Sequence, residues 1–134
     1  MRKLTFLLVI VLTFLLSFSA AAQEPVTIEF WHAMGGYNGQ VVNNLVEKFN
    51  QSQDEVRVEA QNTGSYNDTL TKTQAAVKSG SAPHIIQIYE IGTQVMVDSG
   101  IIIPVEELGR EVANDKDFDW GKFLVPVSNY YNVN

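Results

Sequence analysis

The sequence of 134 residues contains no cysteine. This absence excludes a disulfide framework and any metal site built from thiolates, so the chain must fold through its hydrophobic core. It also excludes attachment to an envelope through a lipid-modified cysteine. If the chain is exported, we therefore expect a periplasmic location rather than anchorage at the surface of a single-membrane cell.

Residues that carry catalysis are scarce as well. The two histidines, His32 and His84, do not stand at a metal-ligand spacing such as H-x-x-x-H. No G-x-S-x-G motif is present, and the glycine-rich stretch GGYNG at 35–39 fits neither common phosphate-binding loop. We expect no enzyme activity, no cofactor and no bound metal, and an exported hydrolase is the disfavoured alternative.

Basic residues are fewer than acidic ones. Nine lysines and arginines stand against 15 aspartates and glutamates, which gives a net charge of −6 at pH 7. An acidic surface of this kind argues against nucleic acid and against anionic membranes as partners. It does not restrict a small-molecule ligand, because the affinity for such a ligand is set by local groups.

The first 22 residues have the anatomy of a secretory signal peptide. Arg2 and Lys3 precede the apolar run LTFLLVIVLTFLLSF, and small residues then predict cleavage after Ala22. The apolar run is shorter than the roughly 20 residues that span a bilayer, although an uncleaved anchor is the alternative. No later segment reaches membrane length, so we expect a soluble mature protein.

The remainder alternates between strand and helix patterns. Strands are predicted at 26–34, 56–60 and 85–89, with helices at 40–49, 63–83 and 92–100. A brief strand or extended piece at 101–105 and short helices at 104–112 and 118–131, the last interrupted by Pro126, complete the prediction. This order is typical of an α/β layer with a mostly parallel sheet and flanking helices. Ser65 and Asp68 form a capping-box pattern at the start of the second helix.

Unusual polar and aromatic residues follow the ends of the three main strands. Trp31 and His32 end the first strand, Tyr66 follows the second, and Glu90 follows the third. Ligands of open α/β sheets bind beyond the carboxyl ends of the strands. Aromatic faces pack against polyols and sugars, and a carboxylate accepts hydroxyl hydrogen bonds. Each residue also has a structural alternative: Trp31 as a core anchor, His32 as a hydrogen-bonded structural group, Tyr66 as a solvent-facing ring, and Glu90 as the point where a strand surfaces.

The stretches TIEFWHAMGG, LVEKFNQSQ, GSYNDTLTKTQAAVKSGSAPHIIQIYEIGT and FLVPVSNYY together resemble the solute-binding proteins of ABC transporters specific for sn-glycerol 3-phosphate. The resemblance runs over 26–131. It implies a two-lobe, periplasmic-binding-protein-like fold around a cleft, in which 23–134 form a partial N-terminal lobe and the second lobe is missing. It also implies that Tyr66 and Glu90 contact the ligand, with Trp31 and His32 in supporting roles.

The resemblance further implies a periplasmic, monomeric receptor that captures sn-glycerol 3-phosphate or a related glycerophosphodiester and delivers it to ABC permease subunits in the inner membrane. A carbohydrate-binding protein of an ABC importer is the alternative. Because a carboxylate repels phosphate, Glu90 must face the polyol end of the ligand. Neither Arg57 nor Arg110 is a convincing phosphate clamp, so we expect the phosphate-holding arginine beyond residue 134. We therefore expect residues 23–134 alone to bind very weakly.

Overall fold

The computed structural model describes residues 24–104, 107–109, 124–128 and 130. The predicted signal peptide, Arg110 and most of the two predicted C-terminal helices lie outside these residues. The strands are β1 (Val26–His32), β2 (Val56–Asn62) and β3 (Ile85–Ile86). The helices are α1 (Gly36–Ser52), α2 (Tyr66–Ser79), α3 (Glu90–Ser99) and α4 (Val125–Ser128).

The three strands form one parallel sheet in the order β2-β1-β3, so the first strand lies in the centre. β1 and β2 pair along their whole lengths, from Val26 opposite Val56 to His32 opposite Asn62. Alternating residues of a strand point to opposite faces of the sheet, which places Phe30 and His32 on one face, and their rings lie 5.5 Å apart. The predicted α/β layer with a mostly parallel sheet and flanking helices is confirmed.

The third strand is shorter than predicted. Only Ile85 and Ile86 pair with β1, opposite Phe30 and Trp31, whereas the sequence pattern predicted a strand over 85–89. The reason is the length of the partner: β1 ends at His32, so almost no strand remains for the following residues to pair with. Consequently Glu90 is not at a strand tip but is the first residue of α3.

The two ends of α2 lie where capping residues in the sequence predict them. α2 begins with the predicted capping box, in which the Ser65 hydroxyl and the Asp68 carboxylate each accept a hydrogen bond from the other's backbone N–H. α2 ends at Ser79 and is capped by Gly80, whose φ of 70° is the left-handed conformation that glycine adopts readily. α1 begins four residues before its predicted start, at Gly36, because apolar periodicity does not report a first turn made of glycine, tyrosine and asparagine.

The segments after α3 agree with the prediction in part. Residues 101–104 form no strand, and residues 107–109 are helical. Pro126 does not end a helix but is the second residue of α4. A proline is tolerated there because the first-turn N–H groups have no partner within a helix.

The core of the described residues is small. Its buried apolar side chains are Ala76 and Met96, and the buried polar residues are His32, Thr63, Thr69 and Thr73. On α1 the side chains of Val41, Leu45 and Phe49 form an apolar stripe that stays substantially exposed. No helix in the described part of the chain is long and apolar enough to cross a membrane.

Candidate functional site

The loops that carry the predicted site residues lie at one edge of the sheet. All three strands are parallel, so their carboxyl ends meet at the same edge. The chain leaves this edge into α1 after β1, into α2 after β2, and into α3 after β3. The edge therefore collects the amino ends of three helices.

Two tyrosines stack at this edge, and we call them the tyrosine pair. The rings of Tyr66, the first residue of α2, and Tyr89, which precedes α3, lie 5.1 Å apart with an interplanar angle of 30°. The Tyr89 hydroxyl donates a hydrogen bond to Asn67 Oδ1 at 2.5 Å. Tyr66 keeps 37% of its surface exposed, so the pair presents an aromatic face that a ligand can reach.

Glu90 stands directly after this pair. It is exposed and occupies the first turn of α3, where the helix dipole favours a negative charge. The structure thus brings Tyr66 next to the residue that precedes Glu90, and both predicted ligand contacts face solvent. A stacking surface next to a carboxylate is an arrangement that can accept a polyol or a sugar.

The position of Tyr66 is fixed by polar contacts below it. The hydroxyls of Thr63 and Thr69 are buried and lie 2.6 Å apart, and the Thr69 hydroxyl also donates to the Ser65 carbonyl oxygen. The Lys72 ammonium donates to the Thr63 carbonyl oxygen at 2.6 Å. Hydrogen bonds from the Ser65 hydroxyl and backbone N–H lower the pKa of the Asp68 carboxyl. The amino end of α2 is therefore held in place before any ligand arrives.

His32 lines a cavity that does not include the tyrosine pair or Glu90. Its ring lines an open cavity of about 320 Å³, whose other lining residues are Met34, Gly35, Gly36, Gly39, Gln40, Asn43, Ala60 and Asn62. His32 is 2% exposed, and burial lowers the pKa of its imidazole. Its Nδ1 accepts a hydrogen bond from the Met34 N–H at 3.2 Å. This cavity includes neither Tyr66 nor Glu90.

Trp31 is half-buried, and its carbonyl oxygen accepts a hydrogen bond from the Gln87 N–H at 2.9 Å. Strand alternation directs its side chain to the face opposite His32. Within the described residues no ring contact joins Trp31 to the tyrosine pair. Of the four predicted residues, Tyr66 and Glu90 lie at one place, while His32 lines another and Trp31 joins neither.

An exposed ion pair on β2 lies toward the amino end of that strand, away from the candidate site. The Arg57 guanidinium lies 3.6 Å from Glu59 on β2, and both side chains are mostly exposed. Among the described residues, no group of three histidine, aspartate or glutamate side chains is placed to hold a metal ion.

Sequence reasoning did not assign Tyr89 and Asn67 to the site. Tyr89 immediately precedes Glu90, so its position in the stretch IYE was the available signal. The sequence pattern placed Tyr89 inside a strand, whereas the structure places it at the N-cap of α3. A residue inside a strand is not expected to lie at the start of a helix, so Tyr89 was not assigned to the site. Asn67 had no signal of its own, since its role depends on the approach of Tyr89.

Comparisons with known proteins agree with the resemblance. No model of a known protein family matches the chain. The sn-glycerol-3-phosphate-binding periplasmic protein of Yersinia pestis bv. Antiqua (strain Antiqua) is 39% identical over 116 residues, which are 87% of this chain and 26% of that protein. The protein of the same name from Salmonella typhimurium (strain LT2) is 36% identical over 116 residues, with the same coverage. The chain thus spans about a quarter of the length of these curated relatives.

A solved structure of an uncharacterised protein from Listeria monocytogenes superimposes with a TM-score of 0.55. The match is 18% identical and covers 61% of this chain and 20% of that one, so it shows a shared fold alone. The predicted resemblance to glycerol 3-phosphate-binding proteins is confirmed by the curated relatives.

Proposed function

We propose that this chain is a segment of the substrate-binding component of an ABC importer, which captures sn-glycerol 3-phosphate or a related glycerophosphodiester in the periplasm. The proposal takes the ligand and the compartment from the names of the relatives, which are 36–39% identical over 87% of the chain. Residues 1–22 then serve as the signal peptide, and residues 23–134 form part of the N-terminal lobe. The partner that receives the ligand is the permease of the importer.

The observation that supports this function best is the tyrosine pair beside Glu90. The Tyr66 ring stacks on Tyr89, and the exposed carboxylate of the next residue stands at the same edge. In this arrangement Glu90 accepts hydrogen bonds from the glycerol hydroxyls, and Tyr66 covers the C–H face of the ligand. The phosphate faces away from Glu90, toward a cation supplied outside the described residues.

The chain performs no reaction in this proposal. The relatives carry the names of binding proteins, and the site combines stacking with hydrogen-bond acceptance. His32 and Trp31 take supporting roles, because neither joins the tyrosine pair. A carbohydrate is the second candidate ligand, since an aromatic face next to a carboxylate also suits the hydroxyl-rich face of a sugar.

Calorimetry on the full-length protein tests the proposal, with sn-glycerol 3-phosphate, a glycerophosphodiester and maltose as ligands. We expect Glu90→Gln to weaken binding by about tenfold to a hundredfold, since a hydrogen bond to a charged group is worth roughly 1.5–3 kcal/mol. Glu55→Gln is the matched control. Glu55 is an exposed acid that precedes β2, at the opposite edge of the sheet.

If Glu90→Gln and Glu55→Gln lost the same amount of ligand affinity, Glu90 would not be a ligand contact. Tight binding of maltose without binding of either glycerol phosphate would favour the carbohydrate receptor. Residues 23–134 expressed alone should bind sn-glycerol 3-phosphate very weakly, because closure of two lobes around the ligand is lost. Micromolar binding by that segment would contradict a divided site.

A further inference from the structure

Side chains from three strand ends fasten the turn that leads from β1 into α1. Gln87 Oε1 accepts a hydrogen bond from the Ala33 N–H at 3.0 Å. His32 Nδ1 accepts one from the Met34 N–H at 3.2 Å, and Asn62 Nδ2 donates to the Met34 carbonyl oxygen at 2.5 Å. These backbone groups lie between a strand and a helix, so neither element satisfies them.

The bond from Met34 fixes the chemical form of His32. A ring nitrogen that accepts a hydrogen bond carries no proton, so neutral His32 bears its proton on Nε2. Nε2 is buried and has no partner within the described residues. A second proton would sit on Nδ1 and point at the Met34 N–H, so two donors would face each other and the bond would be lost.

Among the described residues that line the cavity with His32, none carries a charge that would offset a second proton on the ring. The other residues lining the cavity, from the β1–α1 turn, α1 and β2, include no titratable group, and Phe30 is the ring neighbour on β1. From α2, Lys72 donates to the carbonyl oxygen of Thr63, whose N–H donates to the His32 carbonyl oxygen. Asp68 is engaged by Ser65. The side chain that reaches the turn from beyond β3 is the uncharged Gln87.

We infer that His32 is a positioning residue. The hydrogen bond from the Met34 N–H to the neutral imidazole, which we call the latch, holds the turn that sets the amino end of α1. Protonation of His32 breaks this bond and releases the turn. The latch lies one residue before Gly35 and Gly36, which line the cavity with it. Release alters the sheet edge that carries the candidate site, so ligand affinity falls as the medium becomes acidic. The inference concerns the turn itself and does not depend on the identity of the ligand.

Hydrogen exchange of the Met34 amide in the full-length protein tests the latch without any ligand. We expect its protection to fall as the pH drops through the range in which His32 gains a proton, after correction for the intrinsic pH dependence of exchange. The Thr69 amide, which donates to the Ser65 carbonyl oxygen, is the internal reference. Its protection should stay constant where that of Met34 falls.

His32→Asn separates the latch from a general structural role. The asparagine Oδ1 can take the place of Nδ1 as acceptor, and an amide does not titrate. This variant should keep Met34 protected at every pH tested, whereas His32→Ala should lose protection even at neutral pH. In the wild-type protein, the His32 ring and Met34 amide signals should titrate together by NMR, which tests the latch even if a variant fails to fold.

Binding of sn-glycerol 3-phosphate supplies the functional readout. Its affinity should fall on acidification by a larger factor in the wild type than in His32→Asn. Met34 protection that is independent of pH, or an equal pH dependence in His32→Asn, would overturn the inference. Absence of ligand binding at every pH would count against the proposed function. The pH dependence of Met34 amide protection would then be the test of the His32–Met34 hydrogen bond.

Discussion

The ring of Tyr66 stacks on the ring of Tyr89 at 5.1 Å, and this contact joins the amino end of α2 to the amino end of α3. The two residues come from different crossovers of the sheet, so the contact is tertiary rather than local. Tyr89 also donates to Asn67, one residue after Tyr66. The candidate site is therefore held together across two helices by one ring stack and one hydrogen bond.

The stack should appear as an energetic coupling between the two rings. Stacked aromatic pairs contribute roughly 0.5–1.5 kcal/mol beyond the area that they bury. A double-mutant cycle of Tyr66→Leu and Tyr89→Leu should return a coupling of that size in the free energy of unfolding, measured by denaturant titration. Tyr89→Phe is the control, since it keeps the ring and removes the bond to Asn67. A coupling of zero would mean that the rings are neighbours without mutual stabilisation.

The capping box of α2 makes a second quantitative prediction. Ser65→Ala should lower the free energy of unfolding by about 1 kcal/mol, and Ser65→Gly by only a few tenths. The same substitution to alanine removes the bond from the Ser65 hydroxyl that lowers the pKa of Asp68, so the Asp68 carboxyl should titrate at higher pH by NMR. In the wild type this contribution to stability is present above the ordinary pKa of aspartate and is lost as the pH falls through the lowered one. An unchanged Asp68 titration in Ser65→Ala would contradict this account.

His32 should also make stability fall on acidification, but from a higher pH than Asp68 does. Burial lowers its pKa in the folded state, whereas the unfolded chain keeps a value of about 6.5. Below that value the unfolded state binds a proton that the native state resists, so the free energy of unfolding falls as the pH drops below about 6.5. Above it the contribution is constant. Urea titrations at a series of pH values measure this slope.

His32→Asn should remove that slope, because an amide cannot titrate. His84→Asn is a matched control, since His84 Nδ1 also accepts a backbone hydrogen bond, from the Glu29 N–H, but in an exposed setting. If the slope persisted in His32→Asn and vanished in His84→Asn, the pH dependence of stability would come from His84, and this prediction would be wrong.

The difference between core and surface apolar residues gives a further prediction. Met96 is 2% exposed, so Met96→Ala should cost about 2–5 kcal/mol in the free energy of unfolding. Leu45 of the apolar stripe on α1 is 61% exposed, and Leu45→Ala should change stability by less than about 0.5 kcal/mol. An equally large loss at Leu45 in the full-length protein would show that another part of that protein covers the stripe.

Sequence patterns predicted the features that depend on local chemistry. Alternating apolar residues gave β1 and β2, and Ser65 with Asp68 gave the start of α2. Gly80 gave its end, because its left-handed conformation is a property of the residue itself. Each of these features is determined by residues within a few positions of one another.

The features that sequence did not predict depend on partners far along the chain. The length of β3 is set by where β1 ends, and the role of Tyr89 follows from that termination. His32 and Trp31 are neighbours in sequence and were both predicted to take supporting roles, yet strand alternation directs their side chains to opposite faces of the sheet. The resemblance predicted that Tyr66 and Glu90 both contact the ligand, and the structure stacks Tyr66 on Tyr89, the residue before Glu90.

Because β1 lies in the centre of the sheet, the strand that is synthesised first is the last to have both of its edges paired. The strand that leaves the ribosome first must wait for β2 and then for β3 before both of its edges are hydrogen-bonded. Contacts between segments so far apart close late and slowly. A deletion from the N-terminal side of this region would therefore deprive both later strands of their only described neighbour, whereas a deletion at β3 would leave one strand pair intact.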